Sequence, residues 1–179
     1  KLIHGAGEKS LTATVNQVSL RFVLFGFFQI NAPLFEKTLK DLSLYLDPSR
    51  KLVDFYSGVG AIGIGLKDRC KSAVLVDSHP EAIAYAKENI ELNGLKNCEV
   101  VLSSAEKMTR LIESDSILVF DPQRAGLDPK IVRKILSEKP VRILYLSCEV
   151  ATHARDIRML SPGYKLTALK LYNFFPRTP

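Results

Sequence analysis

The segment Asp54-Phe-Tyr-Ser-Gly58-Val-Gly60-Ala-Ile-Gly63 sets G-x-G-x-x-G between an apolar run, Leu52 to Phe55, and a helical pattern, Ala61 to Arg69. Glycines at these positions let a strand turn sharply into a helix and let the backbone come close to a nucleotide. The pattern then repeats without glycines. Short apolar runs at Ala73–Val76, Glu99–Leu102, Ile117–Phe120 and Arg142–Leu146 alternate with amphipathic stretches. Such alternation predicts an α/β fold, Rossmann-like, with a mostly parallel sheet and helices on both faces.

Helix boundaries are legible from their caps. Ser78-His-Pro-Glu81 reads as a capping box with Pro80 in the first turn, and Asn93-Gly94 as the end of that helix. Asp128-Pro129 predicts a helix over Lys130 to Ser137, and a further helix spans Ala151 to Leu160. Residues 1–50 differ in pattern. Leu11 to Phe22 alternates as a hairpin does, and Asn31 caps a helix running to about Tyr45. Residues 1–50 are expected to belong to the same catalytic domain as residues 51–179, and Leu166 to Phe174 reads as one more strand. Lys1 in place of an initiator Met predicts a piece of a longer protein.

In an open parallel sheet, ligands sit outside the carboxyl ends of the strands. Gly58, Asp77, Ser104, Asp121 and Cys148 all follow predicted strands and are expected to border one crevice. Asp77, at the end of the second strand, is placed to accept hydrogen bonds from ribose hydroxyls. NAD and S-adenosylmethionine both suit such a platform. Asp54 would repel a pyrophosphate and favour a cationic methionine end, so the residues favour S-adenosylmethionine.

The three cysteines, Cys70, Cys98 and Cys148, show no C-x-x-C pair, which argues against a disulfide framework or zinc site and for a reducing, cytoplasmic setting. His4, His79 and His153 are unrelated in position, so no metal is expected. No apolar run approaches the ~18 residues of a membrane span, and the first residues lack the layout of a secretory signal. The formal net charge of +6 favours an anionic partner such as nucleic acid.

Four segments, in order, resemble the S-adenosylmethionine-dependent RNA uracil-5-methyltransferases, which make 5-methyluridine in transfer or ribosomal RNA. They are Phe27-Phe-Gln-Ile-Asn31, Asp54-Phe-Tyr-Ser-Gly-Val-Gly60, Asp121-Pro-Gln-Arg-Ala-Gly126, and Tyr145-Leu-Ser-Cys148 with Ala154-Arg-Asp156. The resemblance implies a class I methyltransferase fold, S-adenosylmethionine as cofactor and tRNA or rRNA as partner. It implies that Cys148 is the nucleophile, that Asp121 and Arg124 act at the target base, and that Gln29, Tyr56, Gly58, Gly60, Asp77, Ser104 and Asp121 surround the cofactor. Glu149-Val150 stands where the family has Asn-Pro, and the family's general base, a glutamate, is expected beyond Pro179. Two rivals stay in view: a cofactor- and RNA-binding domain without catalysis, suggested by Glu149 and the absent glutamate, and a class I RNA methyltransferase that forms no thiol adduct.

Overall fold

The computed structural model describes residues 10–24, 26, 28, 29, 31–174 and 176. Five parallel strands form its sheet: β3 (Lys51–Phe55), β4 (Ser72–Asp77), β5 (Cys98–Leu102), β6 (Ile117–Phe120) and β7 (Arg142–Tyr145). Their order across the sheet is β5-β4-β3-β6-β7. The chain moves outward from β3 in one direction, returns, and moves outward in the other. That reversal opens a crevice above β3 and β6, the switch point where ligands bind in such sheets.

The central strands are buried on both faces, as parallel strands covered by helices must be. One face packs against α1 (Ala32–Ser43) and α2 (Ala61–Gly65), the other against α4 (Pro129–Glu138) and α5 (Val150–Leu160). Between β4 and β5 runs α3 (Pro80–Leu92). Aromatic residues close three neighbouring strands at one level: Phe55 is paired with Phe120 and Phe120 with Tyr145 in the register. Phe55 and Phe120 stack at 5.2 Å, and Tyr145 meets Phe120 edge-on. The loops after β3, β6 and β7 therefore leave the sheet from a common, rigid floor.

β1 (Ser10–Val15) and β2 (Val18–Val23) form the expected hairpin, turning at Asn16 and Gln17, both with positive φ as a type I′ turn requires. Val15, Val18 and Leu20 join the same core as Phe35, Leu39 and Leu75. Asn89 of α3 and Asn93, which caps its C-terminus, hold the outer edge of β2. Asn93 bonds the N–H and C=O of Ser19, and Asn89 bonds those of Arg21. Four residues of helix rise about 6 Å and two residues of strand about 6.6 Å, so side-chain amides at i and i+4 substitute for a neighbouring strand.

Asn31 caps α1 and Asp128 caps α4, with proline in each first turn, as expected. The chain turns out of α3 at Gly94 (φ 63°). Three expectations are corrected. The cap of α3 is His79, whose Nδ1 accepts from the Ala82 N–H at 3.3 Å, and not a Ser78–Glu81 box. Asp77 Oδ1 takes the His79 N–H at 2.8 Å and turns the imidazole into that role. The helix after the glycine loop stops at Gly65 and continues only as a 3₁₀ turn, Lys67–Arg69. Leu166 to Phe174 forms no strand. It has no strand partner among the described residues; Lys170 and Tyr172 instead reach Asp41 on α1, at 2.8 and 2.7 Å. Phe27 and Ile30, which belong to a segment singled out above, lie outside the described residues.

Candidate active site

Tyr56 follows β3 in the left-handed region (φ 64°), uncommon for a bulky residue, and Gly58 and Gly60 also have positive φ. This kinked path folds the loop back onto β4. The Gly58 N–H donates to Asp77 Oδ2 at 2.8 Å, so Asp77 fixes the loop while each of its oxygens keeps a second lone pair. Deeper in, the Gly63 N–H donates to Asp54 Oδ2 at 2.9 Å. A Cβ at Gly63 would press on Leu75 and Asp54, so only glycine lets α2 approach β3 this closely.

Asp54 is fully buried and its Oδ1 has no partner among the described residues. Burial pushes its carboxyl up to about 8, against the pull of the Gly63 hydrogen bond and with added repulsion from Asp121 and Asp77. Burial also raises Asp121, to about 6. Asp54 is thereby held neutral below about pH 8, and the Asp77 and Asp121 carboxylates at the strand ends supply the field that disfavours further anions and favours a cation. Tyr56, raised to about 12 by burial and then by nearby carboxylates, stays a hydrogen-bond donor.

A cavity of about 290 Å³ opens here, lined by Tyr56, Asp77, Ser104, Glu106, Gln123 and Gly126 among others. It stands at the lower end of the ~300–1,000 Å³ typical of small-molecule sites. Ser104 Oγ is buried without a hydrogen-bond partner among the described residues. Tyr56, Asp77 and Ser104 are thus brought together, with Gly58 tied to them through Asp77. Gly60 is buried under the loop. Gln29, partly buried, is placed by its neighbour Phe28, which stacks on Phe22 of β2 at 4.0 Å. Asn89 connects this hairpin to the glycine loop, since its Nδ2 also donates to the Val59 carbonyl at 3.0 Å.

Asp121 and Arg124 lie on the loop after β6, Asp121 partly buried and Arg124 exposed. Cys148 is exposed, in the loop between β7 and α5, and with Asp121 and Arg124 falls outside the cavity lining. The helix N-terminus behind the thiol is taken: the Glu149 carboxylate caps α5, accepting from the Ala151 N–H at 3.2 Å. Ser147 Oγ donates to the Glu149 carbonyl at 3.0 Å and accepts its N–H at 3.1 Å, which fixes the turn around the cysteine. Sequence reasoning missed Ser78, Ala105, Glu106, Gln123, Ala125 and Gly126 as cavity walls. Four of them directly follow Asp77, Ser104 or Asp121 within two residues, which is the signal that could have found them. No group of side chains suited to a metal ion occurs among the described residues, and no helix among them is long and apolar enough to cross a membrane.

A family model described as tRNA (uracil-5-)-methyltransferase matches residues 6–179. The chain belongs to this family. A protein of Lactobacillus johnsonii named as an RNA methyltransferase is 32% identical over all of this chain and 40% of its own length. Another so named, from Caldanaerobacter subterraneus, is 35% identical over 96% of this chain and 39% of its own. The chain thus spans about two fifths of the curated relatives that it matches. Among solved structures, the Pyrococcus abyssi tRNA (uracil-54, C5)-methyltransferase in complex with S-adenosyl-L-homocysteine is 32% identical, covers 87% of this chain and 38% of its own, and has a TM-score of 0.78. A Methanocaldococcus jannaschii tRNA m1G37 methyltransferase, 16% identical, shares the fold (TM-score 0.61, 88% of this chain and 50% of its own). The fold is that of the class I methyltransferases.

Proposed function

We propose that the chain is the catalytic domain of an S-adenosylmethionine-dependent RNA methyltransferase that methylates carbon 5 of a uridine in tRNA or rRNA through an adduct on Cys148. The observation that carries this is the meeting, at one end of one sheet, of a loop-borne exposed thiol and an acidic nucleoside-sized cavity, in a member of this family.

The residues fit the cofactor. Asp77 has lone pairs to receive two ribose hydroxyls, and the unpartnered Ser104 Oγ offers a polar contact in the cavity wall. The carboxylates of Asp77 and Asp121 favour the cationic sulfonium and ammonium and give nothing to a pyrophosphate. When bound, S-adenosylmethionine supplies an electrophilic methyl group. Gln29, Tyr56, Gly58 and Gly60 complete its surroundings.

Carbon 5 of uracil is a weak nucleophile. Attack of the Cys148 thiolate on carbon 6 forms an S–C bond and moves the electron pair onto carbon 5 and the adjacent carbonyl as an enolate. Carbon 5 would then take the methyl as its bond to the sulfonium breaks and S-adenosylhomocysteine leaves, a base removes the carbon 5 proton, and the returning pair expels Cys148. Asp121 and Arg124 hold the base from the neighbouring loop. A stacked duplex hides carbon 6, so the target uridine is presented looped or flipped out, and the net charge of +6 supports affinity for the RNA backbone.

Incubation of the complete gene product with S-adenosylmethionine and uridine-containing RNA, followed by digestion and nucleoside mass spectrometry, tests this: 5-methyluridine is expected. A methylated nucleoside other than 5-methyluridine would favour the second reading, a class I RNA methyltransferase without a thiol adduct. The observation behind that reading is Glu149, whose carboxylate sits one residue from the sulfur.

A further inference from the structure

One face of α5 grips the loop that follows β6. Thr152, Arg155 and Asp156, spaced i, i+3 and i+4, present their side chains together. Thr152 Oγ1 donates to the Arg124 carbonyl at 2.8 Å. Arg155 Nη2 donates to the Ala125 carbonyl at 2.8 Å. Asp156 Oδ2 accepts from the Leu127 N–H at 2.8 Å. Three backbone groups within four residues are therefore satisfied by one helix, although the loop has no regular structure of its own.

Asp156 is the centre of this grip. It is fully buried, and a buried carboxylate persists only when donors surround it. Here Oδ2 also takes the Tyr145 hydroxyl at 2.7 Å, and Oδ1 takes Arg155 Nε at 2.8 Å and Nη2 at 2.6 Å. Burial and this carboxylate push the Tyr145 phenol far above its ordinary value, which keeps it a donor. Gly126 crosses directly over the pair with φ 77°, and a Cβ there would overlap Asp156 Oδ2 and Arg155 Nη2.

The loop so held carries Asp121 and Arg124 and contributes Gln123, Ala125 and Gly126 to the cavity wall. The helix that holds it begins two residues after Cys148. We propose that Thr152, Arg155 and Asp156 are positioning residues that lock the cavity-wall loop to the helix behind Cys148 and so set the spacing between thiol and base. None touches the reacting atoms. The inference rests on the uracil methylation proposed above, where a displacement of about 1 Å costs as much as ~100-fold in rate.

The test uses the complete gene product with Asp156→Asn, Thr152→Val and Thr152→Ser, read by amide hydrogen exchange at Leu127, by thermal melting, and by kcat and KM for methyl transfer to RNA. Asp156→Asn keeps the volume but turns one acceptor into a donor facing donors. Roughly tenfold faster exchange at Leu127 and a kcat at least about tenfold lower are expected at a temperature where the variant is folded. Thr152→Val should lower kcat about threefold with little change in melting, and Thr152→Ser should restore it. A folded Asp156→Asn protein with wild-type kcat and wild-type Leu127 exchange overturns the inference. Should Asp156→Asn not fold, Thr152→Val and Thr152→Ser decide alone, and equal kcat in these two and the wild type overturns it. If the wild type itself makes no 5-methyluridine, the proposed function fails, and Leu127 exchange still decides whether the grip holds the loop.

Discussion

Asp54→Asn is predicted to remove most of the pH dependence of stability between weakly acidic and weakly alkaline solution. In the unfolded chain this carboxyl ionises at the ordinary 3.8, whereas burial holds it up to about 8 in the fold. The raised pKa means that its contribution to stability is whole below 3.8 and is lost progressively as pH rises through about 8. Each pH unit inside that window costs about 1.4 kcal/mol. Between about pH 5.5 and about pH 7.5 the wild type should lose on the order of 3 kcal/mol that the variant keeps, or roughly 5–10 °C in melting temperature for a domain of this size. Asn at 54 still offers an oxygen to the Gly63 N–H, so the α2 contact survives. Asp121, raised to about 6, acts in both proteins and cancels in the comparison. The assay is thermal melting of both proteins across that range without cofactor. Parallel melting curves would show that Asp54 is ionised in the fold and would refute the reasoning.

Two further outcomes follow from the same geometry. Asp77→Ala takes away the acceptor of the Gly58 N–H and the candidate ribose contact, and calorimetry should show S-adenosylhomocysteine binding weakened by about tenfold or more. Asn89→Ala strips partners from the Arg21 N–H and C=O and from the Val59 carbonyl, and denaturant unfolding should register a loss of about 2–4 kcal/mol.

The parallel sheet was legible because strands buried on both faces leave uninterrupted apolar runs, and because a glycine loop after the first of them admits few folds. Asp77 and Ser104 were legible because position after a strand is a local property that places a residue at the crevice, whereas Tyr56 was indicated only by the family resemblance. What escaped notice depends on partners distant in sequence. Leu166 to Phe174 has the composition of a strand, yet a strand exists only where another lies beside it, and its lysine and tyrosine find Asp41 instead. Ser78 and Glu81 satisfied a capping pattern, but Asp77 draws the His79 backbone close and leaves the imidazole to cap. Glu149 read as a departure from the family's Asn-Pro; in the fold it is also the cap of α5. Asp156, within a recognised segment, carried no sign that it binds a loop 29 residues earlier.

The most direct test of the account is covalent trapping. RNA containing 5-fluorouridine, S-adenosylmethionine and the complete gene product should yield an RNA–protein adduct that mass spectrometry maps to Cys148, because fluorine at carbon 5 blocks the proton removal that frees the sulfur. Formation of 5-methyluridine from ordinary RNA without any such adduct, or with Cys148→Ala fully active, would contradict it.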